Sequence, residues 1–277
     1  MPSVDLEYPK QPYSKVNRYD HRASYALETI HTIINNCPIL HVSFTPPNSP
    51  FPTILPMIGQ MGSFDRPSAD TGDVLELYLH GYVSSRIINL SRNANGNNSE
   101  PSGEEGLPVC VAASQIDGLV LSLTPNSHSY NYRSAVVFGY ATLVTDLAEK
   151  LYAMELITNS VVRDRYRHTR VPPNGAELQS TGILRVKISA GSAKLGSGVP
   201  KDEKADMEDK ELVDRVWTGV VPMHYTFDEP VPGPYNKVQQ TPAYLQEYMT
   251  DFNRDSKDYA VEAATKSRDV PKPKHDD

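Results

Sequence analysis

The stretch VLELYLHGYVSSRIINL, residues 74–90, decides how the rest of the chain is read. Leu75, Leu77 and Leu79 alternate with Glu76, Tyr78 and His80, the two-residue period of a strand with one face toward a core. The strand is expected to end at His80 and Gly81, and a short helix to begin near Ser84. Ser84, Ser85 and Arg86 then occupy the helix N-terminus. Free backbone N–H groups, two hydroxyls and a guanidinium at that place make a phosphate site without a glycine-rich loop. The same residues also suit a plainer role, with Ser84 as N-cap and Arg86 solvated on the first turn.

Working outward, short β-like runs fall at 39–44, 53–60, 109–114, 118–124, 134–145 and 183–190. Gly139, in the middle of the run 134–145, points to a bulge or a tight bend. Two segments carry helical periodicity. In residues 20–36 Ala26, Leu27, Ile30, Ile33 and Ile34 share a stripe, Asp20 or Ser24 is placed to cap it, and Pro38 forces its end. From Asp146 onward, Asp146 and Glu149 have capping-box spacing, and Leu147, Leu151, Met154 and Val161 follow as an apolar stripe. The charged residues 202–216 read as helical and lead into Trp217. Many strands adjacent in sequence with only two strong helices favour a mainly β chain, an antiparallel barrel with peripheral helices, over a doubly wound sheet.

The expected organisation is an extended lead-in over 1–19, one barrel domain over 20–232 and a polar tail over 233–277. Within the domain, the Gly/Asn/Ser-rich segment 91–106 reads as a surface insertion. The tail is expected to hold a short helix near 243–252 and a disordered end.

Composition excludes several classes. The 277 residues carry a formal net charge of −7, and no Lys/Arg block argues for a nucleic-acid groove or a polybasic membrane patch. Cys37 and Cys110 lie too far apart for a CxxC redox or zinc pair. The eight histidines are scattered, so no metal site follows from spacing. GxGxxG, P-loop, GxSxG and HExxH patterns are absent. With no apolar leader or membrane-length run, the expectation is a cytoplasmic chain.

A second informative stretch is SHSYNYRSAVVFG, residues 127–139. Arg133 and Ser134 open a long apolar strand, and an Arg at a buried edge needs an anionic partner. A phosphate is one candidate and a carboxylate from the fold is the other.

Taken as an ordered pair, LYLHG…SR and NYRSAVVFG mark a resemblance. Together with YALETIHTIINNCPILHVSF, PTILPMIGQ and VWTGVVPM, they make residues 19–232 similar to the pyridoxamine 5′-phosphate oxidase-like flavin-binding split barrels, closest to the nitroimidazole-resistance type in a longer, fungal-type form. The resemblance implies a six-stranded antiparallel split β-barrel with Greek-key connections and flanking helices, a homodimer, and FMN at the subunit interface. It assigns Ser85 and Arg86, beside Ser84, to the FMN phosphate, and Arg133 and Ser134 to further phosphate or ring contacts. It puts Pro56, Met57 and Ile58 on the strand facing the isoalloxazine and His80 near the flavin. Trp217 matches a pocket-wall position, although a place in an aromatic core suits it equally.

The function implied is an FMN-dependent oxidoreductase that passes electrons from a reduced nicotinamide to a small-molecule acceptor, with His80 placed to donate a hydrogen bond or proton to substrate. The alternative is a non-enzymatic flavin or haem binding and storage protein on the same barrel.

Overall fold

The computed structural model describes residues 5–94 and 105–266. Its strands are β1 (Ala23–Ser24), β2 (Leu40–Phe44), β3 (Thr53–Gly62), β4 (Glu76–Tyr82), β5 (Leu107–Leu121), β6 (Ser129–Leu143), β7 (Thr181–Gly196) and β8 (Gly219–Pro222). Its α-helices are α1 (Leu27–Asn35), α2 (Arg86–Ala94), α3 (Leu147–Val161), α4 (Gly175–Ser180), α5 (Lys204–Glu208), α6 (Lys210–Arg215) and α7 (Ala243–Thr265). The strands hydrogen-bond in the order β1-β7-β4-β3-β2-β5-β6, and β6 pairs back onto β7. Six strands, β2 to β7, therefore close an antiparallel barrel, while β1 and β8 extend it from β7 and β5. Closure removes the unpaired edges that an open sheet would present. The expected mainly β barrel with flanking helices is the observed fold.

The chain divides into two compact units. The first comprises Met1–Ser114 and Ser134–Lys194, the second Gln115–Arg133 and Leu195–Asp277.

In the first unit the apolar stripe of α1 buries Leu27, Ile30, Ile33 and Ile34. This helix begins at Leu27, later than the periodicity alone suggests, because residues 20–24 form a 3₁₀ turn and β1. Neither expected residue caps it: the Ser24 hydroxyl accepts from Ala26 N at 3.3 Å and Asp20 accepts from His21 N at 2.9 Å. Asp146 does cap α3, accepting from Glu149 N at 2.8 Å. Glu149 completes no box; its carboxylate accepts from the Tyr78 hydroxyl at 3.0 Å and from Arg185 at 3.2 Å. The same pairing explains a departure in β4. Tyr78, expected on the polar face, is fully buried with Ala153, Ile157 and Ile183, because a helix rather than water covers that face.

Gly139 lies inside the unbroken strand β6, and what requires it there is a close approach rather than the bulge or bend expected. A Cβ there would lie 2.2 Å from the Lys187 carbonyl oxygen, so β6 approaches β7 closer than any side chain permits. Buried His31 is held between the Tyr8 hydroxyl at 2.6 Å and the Thr71 carbonyl at 2.9 Å. A carbonyl only accepts, so Nδ1 carries the proton and Nε2 accepts from Tyr8. Burial lowers the His31 pKa to about 4 and raises that of the Tyr8 hydroxyl.

In the second unit the two runs 109–114 and 118–124 prove to be parts of one strand, β5, whose first part lies in the first unit. The polar residues Gln115 and Asp117, which read as a break, are buried. Asp117 binds Arg133 through two hydrogen bonds, which accounts for a carboxylate inside the strand. The region after 233 holds the 23-residue helix α7, longer than the short helix expected, with Ala260, Ala263 and Ala264 buried. The Ala263 carbonyl accepts from Gly198 N at 2.7 Å and from Asn131 Nδ2 at 3.1 Å. Of the expected insertion 91–106 and disordered end, residues 95–104 and 267–277 lie outside the described residues.

Candidate functional site

The site grows from the β4–α2 junction in the first unit. In β4, His80 is the register partner of Ile58 in β3 and of Ile183 in β7. One residue on, Gly81 faces Gly182 across the β4–β7 ladder. A Cβ at Gly182 would lie 2.8 Å from Ile88 Cδ1. Gly182 thus clears a seat for Ile88, and α2 settles on the sheet by burying Ile87 and Ile88 completely. No periodicity announces this glycine pair; only the register shows that the two stand opposite one another.

Seating α2 fixes its N-terminus. Met57 Cε, Ile88 Cγ1 and Ser85 Oγ all converge to within 3.5–3.6 Å of the position a Gly81 Cβ would take. The helix starts at Arg86, so Ser85 immediately precedes it, and Ser85 N donates to Tyr82 O at 2.8 Å. The Ser85 hydroxyl is buried and has no hydrogen-bond partner among the described residues. Such an orphaned polar atom costs about 1–3 kcal/mol unless something satisfies it. Ser84 does not cap the helix with its side chain; its carbonyl accepts from Asn89 Nδ2 at 3.1 Å. Arg86 is exposed and forms no ion pair with a described residue. The first-turn N–H groups of an α-helix add partial positive charge at this point.

His80 presents an edge to solvent, while protein atoms around its ring displace part of its hydration and lower its pKa. That favours the neutral imidazole, which can donate or accept a hydrogen bond. Met57 is buried, Ile58 half-buried and Pro56 exposed along the neighbouring strand. Sequence reasoning named five residues that the first unit brings together here: Met57, Ile58, His80, Ser85 and Arg86. It did not name Gly81, Gly182 or Ile88, which hold them in place.

The other expected residues have different surroundings. Ser134, in the first unit, donates its hydroxyl to Lys194 O at 3.1 Å. Arg133 belongs to the second unit, and the carboxylate is the partner it has. Its Nε and Nη2 donate to the two Asp117 oxygens at 3.1 and 2.7 Å, and its guanidinium lies 3.6 Å from the centre of the Tyr259 ring. Trp217, also in the second unit, is 64% exposed and leans on Gly219, so it is no part of an intrachain aromatic core.

A separate cleft of about 340 Å³ opens in the first unit, walled by Tyr13, Phe44, Pro108, Cys110, Phe138 and Tyr140 among others. The Tyr13 and Phe138 rings meet edge to face with centroids 5.0 Å apart. Its residues come from five distant segments, which is why no local motif marks it. Among the described residues no group of three or more His, Cys, Asp or Glu is placed to hold a metal ion, and no helix is long and apolar enough to cross a membrane.

Comparison with known proteins bears on this geometry. A family model described as pyridoxamine 5′-phosphate oxidase matches residues 27–195, more than half of the chain and all of β2 to β6. The chain belongs to that family. Among solved structures, the chain is similar to the flavocytochrome Anf3 from Azotobacter vinelandii, with 23% identity and a TM-score of 0.68 over 87% of this chain and 98% of that one. It is also similar to an FAD and haem binding protein from Mycobacterium smegmatis, with 23% identity and a TM-score of 0.64 over 82% of this chain and 97% of the other. At that identity the likeness establishes a shared fold. No curated protein matches the sequence.

Proposed function

We propose that this family member binds a flavin nucleotide, FMN, with the phosphate at the N-terminus of α2 and the ring system along β3 and β4. The observation that carries the reading is the buried Ser85 hydroxyl beside Arg86, neither with a partner among the described residues, at a helix N-terminus seated on the sheet. A flavin phosphate brings roughly −2 charge, which a chain of net charge −7 must neutralise locally. Arg86, the Ser85 hydroxyl and the first-turn N–H groups supply that neutralisation without recruiting Arg133, whose charge is already met by Asp117. The Met57 and Ile58 region of β3 offers an apolar bed beside His80.

When bound, a flavin supplies one- and two-electron transfer. The chain's own part is to hold the phosphate, exclude water with Met57, and keep His80 neutral and able to exchange a hydrogen bond or proton with a small-molecule substrate. The proposed activity is oxidation of a reduced nicotinamide coupled to reduction of a small organic acceptor, by a homodimer.

The names of the two structural relatives favour one further reading, a flavin- and haem-binding protein, and FAD in place of FMN. The absorption spectrum of the purified protein, before and after adding FMN, FAD or haem, tests these together. Flavin bands are expected. A colourless protein that takes up neither flavin overturns the proposal, and a Soret band adds haem. Failure of the flavin-loaded protein to oxidise NADH or NADPH with quinone, nitroaromatic or imine acceptors overturns the oxidoreductase part alone.

A further inference from the structure

Residues 221–240 are exposed without interruption, yet they include Val221, Met223, Tyr225, Phe227, Val231, Tyr235 and Val238. A solvated loop does not ordinarily carry that much apolar surface. Nor is this segment loose at its base. It leaves β8, whose four residues pair with β5 from Gly118 to Leu121. Phe227 is then clasped to α7: its N–H donates to Asn253 Oδ1 at 2.6 Å, its carbonyl accepts from Asn253 Nδ2 at 2.8 Å, and its ring lies 4.7 Å from that of Phe252. The chain rejoins α7 at its N-cap, Pro242. Between these anchors stands the loop DEPVPGPYNKVQQT, residues 228–241, with Val231 92% and Tyr235 88% exposed. Pro230, Pro232 and Pro234 restrict φ at every second residue, so the loop gives up little conformational entropy when it docks.

We infer that this loop is an arm that inserts Val231 and Tyr235 into the aromatic-walled cleft of a second copy of the chain, between Tyr13, Phe44, Phe138 and Tyr140. The loop turns between Gly233 and Asn236, where Asn236 N donates to Gly233 O at 3.0 Å, and aromatic walls suit the apolar side chains that such a proline-restricted turn presents. One chain carries both halves of the contact, so a two-fold pair makes it twice and needs no third component. Burying Val231, Tyr235 and Val238 with the intervening prolines from each copy contributes a large part of the roughly 800 Å² per partner of a stable interface. The inference rests on the homodimer proposed above and adds which surfaces form it.

The test uses the full chain. Cys110 lines the cleft and Cys37 does not. In a Cys37→Ser background, Val231→Cys and Tyr235→Cys are each oxidised with copper phenanthroline, and light scattering is run on the same reduced samples. The expected result is a dimer in which at least one variant forms an intermolecular disulfide that Cys110→Ser abolishes. A dimer in which neither variant crosslinks, or in which the crosslink survives Cys110→Ser, overturns the arm while leaving the dimer standing. A monomer overturns both. The double variant Val231→Asp/Tyr235→Asp should fold normally and raise the dimer dissociation constant by at least about tenfold; an unchanged constant counts against the arm.

Discussion

Arg133 grips both carboxylate oxygens of Asp117, with Nε at 3.1 Å and Nη2 at 2.7 Å, and the Asp117 side chain is 5% exposed. The parallel geometry is the strong form of this pair, and the Tyr259 ring 3.6 Å from the guanidinium extends it to α7. An Arg near the start of an apolar strand and an Asp inside another are each costly alone; across β5 and β6 each accounts for the other.

Removing one member leaves a charge stranded. Asp117→Ala should lower stability by about 3–5 kcal/mol, read as a fall in the urea midpoint. A shift below about 1 kcal/mol would mean the pair is dispensable.

Arg86 predicts the opposite partition. It is exposed and has no ion-pair partner among the described residues, so Arg86→Ala should leave the unfolding midpoint almost unchanged while weakening flavin binding by about one to two decades in Kd. Titration by flavin fluorescence checks this. Equal affinity in the variant and the parent would sink the phosphate site at α2.

His31 sets a pH dependence of stability. Its folded pKa is lowered to about 4, beneath the ordinary value of 6.5, because burial disfavours the imidazolium. Between those values the unfolded chain binds the proton and the folded chain does not. Stability from this group is therefore complete above about pH 6.5 and lost as pH falls toward 4, by about 3 kcal/mol in all. Urea melts across that interval should slope downward with falling pH. In His31→Gln the slope should flatten, even though the variant is less stable at neutral pH.

Two glycines separate packing from function. Gly139→Ala brings a methyl to 2.2 Å from the Lys187 carbonyl oxygen, a clash with backbone that cannot yield, and should cost about 3 kcal/mol or more. Gly182→Ala meets only the movable end of Ile88 at 2.8 Å. It should cost less stability, about 1–2 kcal/mol, yet displace the N-terminus of α2 and weaken flavin binding more than its stability loss accounts for. Paired thermal melts and flavin titrations of the two variants would reveal the reverse order if the seat under Ile88 were unimportant.

The local signals that read correctly are those whose cause is local. Alternation placed β4, and the Asp146 cap needs only its own helix; Gly139 read as a bend because the Lys187 carbonyl it accommodates lies on a strand distant in sequence. The capping box failed at Glu149 because Tyr78 and Arg185, distant in sequence, claim its carboxylate. The same network buries Tyr78, which a two-residue period assigns to solvent. The run 107–121 read as two strands because Gln115 and Asp117 are polar, and what satisfies Asp117 inside one strand is an arginine sixteen residues further along the chain. At the candidate site, His80, Ser85 and Arg86 were legible from one short stretch, with Met57 and Ile58 added by the family resemblance. The seat that Gly182 leaves for Ile88 was not, since the packing of α2 against β7 is a property of the closed barrel.

By itself, then, the sequence determined the strand-rich pattern, the barrel class and the family, because periodicity and a nearly contiguous motif are written along the chain. Only the tertiary structure decided that Arg133 is spent on Asp117 while Arg86 meets no carboxylate among the described residues. It also showed that the tail holds a 23-residue helix and that an aromatic cleft faces outward. These depend on which charges and surfaces remain unsatisfied after folding. That remainder exists only once residues far apart in sequence have paired.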